Sequence, residues 1–217
     1  MLTIFVACSD PSILSNLSIK QQDSPIETIQ AEQVNNVYRL VFKPKYKVPS
    51  LGYSVFEVFT SSIKTSTVTI LSNDKAISLS NSKNFEVVGN KLIIDKKLSL
   101  DLVSYQSERR KEMEGAYLFL PNGHAQPYGS AINDNSVQYF KGPIRDLVHI
   151  RKAENIEFTI FYQHSDQHHD DPILDVQTIT NMNDQNNNQN LALRIKTLDS
   201  MNFQNNILTT DLNGLHF

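Results

Sequence analysis

The sequence predicts an all-β protein, an antiparallel β-sandwich with little helix, and three observations carry that expectation. Short apolar runs rich in Val, Ile, Tyr and Phe recur along the chain at strand length. Turn formers separate many of them, among them Asp10-Pro11, Gly89-Asn90, Pro121-Asn122-Gly123 and Asn213-Gly214. Only Ser107–Glu114 (SERRKEME) has a helix-forming composition. It offers no apolar stripe to bury, so a solvated turn fits it better than a packed helix. No repeat of solenoid or propeller length interrupts this pattern.

Taken in order, Leu2–Ala7 is apolar and β-branched, and Asp10-Pro11 breaks it. The polar residues from Asn16 to Gln33 read as a long connection or as weak edge strands. Val37–Phe42 is the next apolar strand, followed by a lysine-rich link bracketed by Pro44 and Pro49. Ser54–Phe59 carries aromatic and branched residues on both faces, which predicts a strand buried on both sides. Thr67–Leu71 follows within a Ser/Thr-rich stretch. Phe85–Val88, Gly89-Asn90 and Lys91–Asp95 predict a hairpin with a two-residue turn. Leu98–Val103 alternates, with Leu98, Leu100 and Leu102 on one face.

Ala116–Leu120 is a short aromatic-rich strand that Pro121-Asn122-Gly123 stops. Val137–Phe140, Leu147–Ile150 and Ile156–Tyr162 come next. Ile173–Thr178 and Leu191–Lys196 flank the Asn/Gln-rich link Asn181–Asn190, a loop by composition. Asn206–Asp211 ends the series. The division expected is a small β-sandwich sub-domain, or its C-terminal part, over 1–60 and a larger β-sandwich over 61–217.

A chain of 217 residues can bury one large core or two small ones. Its formal charge of −3 and pI near 6.1 come with no clustering of Lys and Arg, which excludes a nucleic-acid footprint. Cys8 is the single cysteine, so no intrachain disulfide can form. No apolar run approaches the roughly 18 residues that span a bilayer, so no membrane span is expected. MLTIFVACSD lacks the basic start of a signal peptide and reads as a strand.

Two strings carry more than fold. Gly115–Tyr128 reads GAYLFLPNGHAQPY, and Thr210–Leu215 reads TDLNGL. The first closely resembles a segment of the α-mannosidases of glycoside hydrolase family 38, and the second resembles the TDLNG signature late in the Golgi type. Ile173–Thr197 and Val37–Val58, with Pro49-Ser50-Leu51-Gly52-Tyr53, are similar to family stretches in the matching order. Together these cover roughly half of the chain, the two strings being the specific part.

The resemblance implies a galactose-mutarotase-like supersandwich, the C-terminal β region of a retaining α-mannosidase that trims N-glycans. In that family an aspartate nucleophile, an acid/base carboxylate and a zinc ion sit in a preceding α/β domain. Retaining chemistry needs two carboxylates about 5 Å apart, and no such pair is evident in this sequence. The expectation is therefore a chain with no catalytic residue and no metal ligand of its own, the zinc ligands lying outside it. It would be a fragment or truncated product, inactive alone, that packs on the N-terminal catalytic domain and lines the cleft for a mannose-containing glycan. The Golgi lumen is the expected compartment, with the lysosome as alternative.

Tyr117 is the substrate-binding residue the resemblance points to, since a phenol can stack on a sugar face and hydrogen-bond a hydroxyl. Departures from the family pattern are Glu114 in place of serine, and Leu208 and Thr209 in place of an aromatic pair. The alternative function is a stand-alone carbohydrate-binding or interaction module without hydrolase activity.

Two other constellations compete. His164–Asp171 (HSDQHHDD) offers imidazoles and carboxylates that suit zinc, but adjacent ligands on one loop rarely converge on one centre. Cys8 has no histidine close in sequence, and neither a Gly-x-Ser-x-Gly elbow nor a glycine-rich phosphate loop occurs.

Overall fold

The computed structural model describes residues 1–7, 11–35, 37–46, 53–106, 123–133, 136–153, 156–165, 173–180, 189–198, 211–212 and 215–216. These form two compact units, one built from Met1–Asn81 and Asn133–Asn183, the other from Ser82–Ile132 and Asp184–Phe217. The fold is all-β, and the described helical pieces are short 3-10 turns such as Pro11–Asn16.

The first unit holds three sheets. Strands β1 (Leu2–Ala7), β4 (Thr28–Val34), β5 (Val37–Phe42) and β7 (Thr67–Leu71) form one, in the order β1-β5-β4-β7. Its pairs are antiparallel except β4 with β7, which run parallel from Thr28 opposite Thr67. That pairing joins chain from both sides of the expected division at residue 60. Strands β2 (Leu17–Gln21), β3 (Ser24–Pro25) and β6 (Phe56–Thr60) form a second sheet in the order β3-β2-β6. The third is the antiparallel meander β12 (Val137–Phe140), β13 (Arg145–Ala153), β14 (Ile156–Gln163) and β15 (Ile173–Thr180).

Strand alternation decides what fills the space between these sheets. Ile29 and Ala31 of β4 and Tyr38, Leu40 and Phe42 of β5 share a face, because side chains two apart point the same way. They pack with Leu17 and Ile19 of β2 in one buried apolar cluster. The other face of β4 carries Gln30 and Glu32, both fully buried, and these bond to Arg145 of β13. Nearby, Leu71, Phe140, Leu147 and Phe161 make a smaller apolar cluster. The central strands β4 and β5 are thus covered on both faces, while Phe5 on edge strand β1 is exposed.

Two expectations need correction here. The polar stretch from Asn16 to Gln33 contains β2, β3 and β4, and β4 is an interior strand rather than a connection or a weak edge. The strand expected at Ser54–Phe59 is β6, and it is not buried on both faces. It pairs only with β2 among the described strands, and Val58 is 41% exposed. Phe56 turns inward and meets the Phe42 ring edge-on at 5.4 Å.

In the second unit, β8 (Phe85–Val88) and β9 (Lys91–Ile94) form the expected hairpin, with Gly89 at φ +59 in its turn. A left-handed backbone there favours glycine, which has no Cβ to clash. β10 (Leu98–Gln106) is the central strand. One edge is shared by β9 and β11 (Gln126–Pro127), and β16 (Gln189–Thr197) lies along the whole of the other. With both edges paired, the residues from Ser99 to Ser104 are all buried. Strands β17 (Asp211–Leu212) and β18 (Leu215–His216) pair antiparallel with each other.

Candidate functional site

Tyr117 and residues 115–122 of the GAYLFLPNG string lie outside the described residues, and so do Cys8 and Ser107–Glu114. The described chain on either side fixes where that string is attached. β10 leads into it at Gln106, and the chain returns through Gln126 and Pro127, paired with Ser104 and Val103. Tyr128 N donates to Leu102 O at 2.9 Å, extending this return along β10. The described residues on either side of 107–122 are therefore both held on β10.

An ion pair with a buried carboxylate braces the same strand. Asp101 of β10 is 4% exposed, and the Arg194 guanidinium of β16 grips both carboxylate oxygens, with Nε to Oδ1 at 2.9 Å. The hydrogen bonds that Arg194 donates to Asp101 hold the Arg194 pKa above its ordinary value, more than burial pulls it down. A bidentate pair fixes geometry as well as charge, so β10 and β16 are locked in register at this point.

His164 is the described end of the His164–Asp171 stretch, residues 166–171 lying outside the described residues. Its Nε2 stands 3.1 Å from Asp146 Oδ1. The same carboxylate accepts from Tyr139 Oη at 2.9 Å and from Gly142 N at 3.2 Å. Asp146 is 2% exposed, so these hydrogen bonds are what make its burial tolerable. Sequence reasoning missed Asp146 and Tyr139, which are far from His164 along the chain. The strand pattern alone could have signalled Asp146, a charged residue just before the apolar run Leu147–Ile150.

The first unit holds a second polar cluster, also unforeseen. Glu32 Oε1 accepts from Arg145 Nε at 2.7 Å and Gln30 Nε2 at 2.8 Å. Its Oε2 accepts from Arg145 Nη2 and Arg39 Nε, each at 2.7 Å. The side chain of Glu32 is fully buried, and four donors fill its lone-pair directions. Both guanidinium carbons lie 4.3 Å from the Phe161 ring centroid, within cation–π range. Burial lowers the Arg39 pKa, and the adjacent Arg145 adds to this while Glu32 opposes it. With both oxygens of Glu32 committed to donors, this cluster braces two sheets and offers no free base.

No protein-family model matches this chain, and no curated protein matches it.

Among the described residues, the zinc that the resemblance implies finds no ligand set. No group of three His, Cys, Asp or Glu side chains comes together among the described residues. The imidazole Nε2 of His164 is engaged by Asp146. No chemical step is assigned to a metal here. Among the described residues, no helix is long and apolar enough to cross a membrane.

Proposed function

We propose that this chain is the C-terminal β region of a retaining α-mannosidase of glycoside hydrolase family 38, acting on mannose-containing N-glycans. The observation that carries the reading is the order of two specific strings, GAYLFLPNG at 115–123 and TDLNG at 210–214, on one chain. The all-β architecture supports it, because a sandwich is what the resemblance implies for this region.

In this reading the nucleophile, the acid/base carboxylate and the zinc belong to a catalytic α/β domain of the same protein, working in the Golgi lumen. The β region contributes a scaffold and one wall of the cleft. Tyr117 stacks on a mannose ring and bonds one of its hydroxyls.

The purified chain is expected to release no aryl group from an aryl α-mannoside. In saturation-transfer NMR it is expected to pass magnetisation to methyl α-mannoside, a signal that Tyr117→Ala weakens about tenfold in affinity, as loss of one stacked, hydrogen-bonded ring would. Chelator-resistant turnover by the chain alone would overturn the reading. Mannoside binding that ignores Tyr117→Ala would remove Tyr117 from the cleft wall.

A further inference from the structure

Asn16-Leu17-Ser18 is the one Asn-x-Ser/Thr triplet of the chain, the acceptor pattern for an N-linked glycan. Such triplets arise often by chance, and what sets this one apart is how the fold treats its two polar residues. Asn16, the last residue of the Pro11–Asn16 turn, is exposed, whereas Ser18 of β2 is 1% exposed. A 3-10 turn brings residues three apart onto one side. Leu14 and, at the start of β2, Leu17 take the inward side, and both lie in the apolar cluster of the first unit. Ile13 and Asn16 take a side that faces out, Ile13 being 46% exposed.

The backbone at Asn16 is fixed, because its carbonyl accepts from Ser61 N at 2.9 Å. Ser61 Oγ in turn accepts from Ile63 N at 3.0 Å, and Ile63 is 74% exposed. Among the described residues, no hydrogen bond ties down the Asn16 carboxamide. The amide is thus presented on a held backbone close to two exposed isoleucines, apolar surface that an attached sugar can cover. Ser18 is the more telling residue. Its Oγ has no hydrogen-bond partner among the described residues. A hydroxyl buried in this way gives up water and gains nothing, so alanine would serve the folded strand as well or better. An acceptor triplet gives the hydroxyl a use, since the transferase reads it on chain that has not yet folded. Ser18 stands opposite Phe59 of β6, so β2 stays open until that later stretch has been made.

We propose that Asn16 carries an N-linked oligosaccharide, added before β2 pairs with β6. The Asn16 Nδ2 forms a bond to the anomeric carbon of a lipid diphosphate-linked oligosaccharide. The bond from that carbon to the phosphate oxygen breaks, and its electron pair leaves with the lipid diphosphate. The amide nitrogen passes one proton to a base of the transferase. The attached sugar then lies over Ile13 and Ile63. The inference rests on the lumenal location in the proposed function and on none of its mannoside chemistry.

The full chain, translated behind a cleavable signal sequence in the presence of endoplasmic-reticulum microsomes, should gain the mass of one oligosaccharide. A peptide N-glycosidase should remove it. This readout needs no folded product. Ser18→Thr should be modified as well, whereas Asn16→Gln and Ser18→Ala should both stay unmodified. Chain that is folded first and then offered transferase and donor should also stay unmodified, because Ser18 is then buried. Wild-type chain left bare by the microsomes, modification that survives Asn16→Gln or Ser18→Ala, or modification of prefolded chain would overturn the assignment. In protein taken from its own cells, the peptide holding Asn16 should carry the sugar. Recovered bare there while microsomes modify it, that peptide would overturn the lumenal location and the inference with it. A modified chain with no mannoside signal would instead sink the mannosidase reading and leave the Asn16 assignment supported.

Discussion

The fully buried Glu32 carboxylate is surrounded by four donors, and this makes its partners unequal to ordinary surface arginines. Removing Arg145 strips away two of those donors and leaves an under-compensated buried carboxylate. Arg145→Met is therefore expected to destabilise the first unit by about 3–5 kcal/mol, read as a lower urea midpoint. Glu32→Leu with Arg145→Met should lose less than Arg145→Met alone, since the apolar pair leaves no stranded charge. Gly142 is constrained by the same cluster. A Cβ there would sit 2.2 Å from Gln30 Oε1 and 2.4 Å from Arg145 O, a collision partly with backbone. Gly142→Ala should thus cost more than the roughly 2 kcal/mol typical of a strained or overpacked site. Nothing lies within 4 Å of a Cβ at Gly89, so Gly89→Ala should cost only the backbone strain of φ +59, about 1–2 kcal/mol. His149 supplies the pH dependence at this scale. Burial holds its pKa below the ordinary histidine value, with Arg151 adding to burial and Glu157, 3.5 Å away, opposing it. The folded state therefore prefers the neutral ring. Its stabilising contribution is complete above about pH 6.5 and is lost as pH falls from there through the lower folded value. Urea midpoints measured across that interval should fall less steeply in His149→Asn.

At the scale of elements, the turns explain both what a reader of the sequence finds and what is missed. The β2–β3 hairpin turns through Gln22 and Asp23, at φ +49 and +64, with no glycine to mark it. Two non-glycine residues in the left-handed region cost roughly 1–2 kcal/mol each in the worst case. Gln22→Asn with Asp23→Gly is accordingly expected to raise the thermal midpoint, by the equivalent of about 1 kcal/mol. The contrast with Gly89-Asn90 is instructive, because that turn announced its hairpin and Gln22-Asp23 did not. β4 was hidden for a second reason. Its face toward Arg145 is polar, so Gln30 and Glu32 look like surface residues until their partners arrive, more than a hundred residues later. Apolar strands such as Leu2–Ala7, Val37–Phe42, Thr67–Leu71 and Val137–Phe140 carry their own evidence and were legible to the residue. The candidate site was legible only as a string. Asp101 and Arg194 show no local signal, since a cross-strand ion pair is defined by two strands meeting and not by either sequence.

For the whole molecule, the chain path matters more than any single strand. The first unit closes only when Asn133–Asn183 meets Met1–Asn81, and the first stretch of the second unit lies between them in sequence. Its bracing contacts are correspondingly remote, with Glu32 and Arg145 113 residues apart. Such pairings must overcome loop-closure entropy before they contribute anything, which slows folding. The second unit has a local meander, β8–β9–β10, to which β16 pairs from far along the chain, and a local meander is expected to form first. Two cooperative blocks with different origins should be separable by native-state hydrogen exchange. Arg145→Met should speed exchange of the β4, β5 and β13 amides and leave those of β9 and β10 at wild-type rates. Arg194→Met should do the reverse, because it strips Asp101 of its bidentate partner within the second unit. In pulse-labelled refolding, β9 and β10 should gain protection before β4 does. A uniform loss of protection across both units in either variant, or simultaneous protection of β4 and β10, would mean that the chain folds as one block. The remote Glu32–Arg145 pairing would then have to form as early as the β8–β9 hairpin.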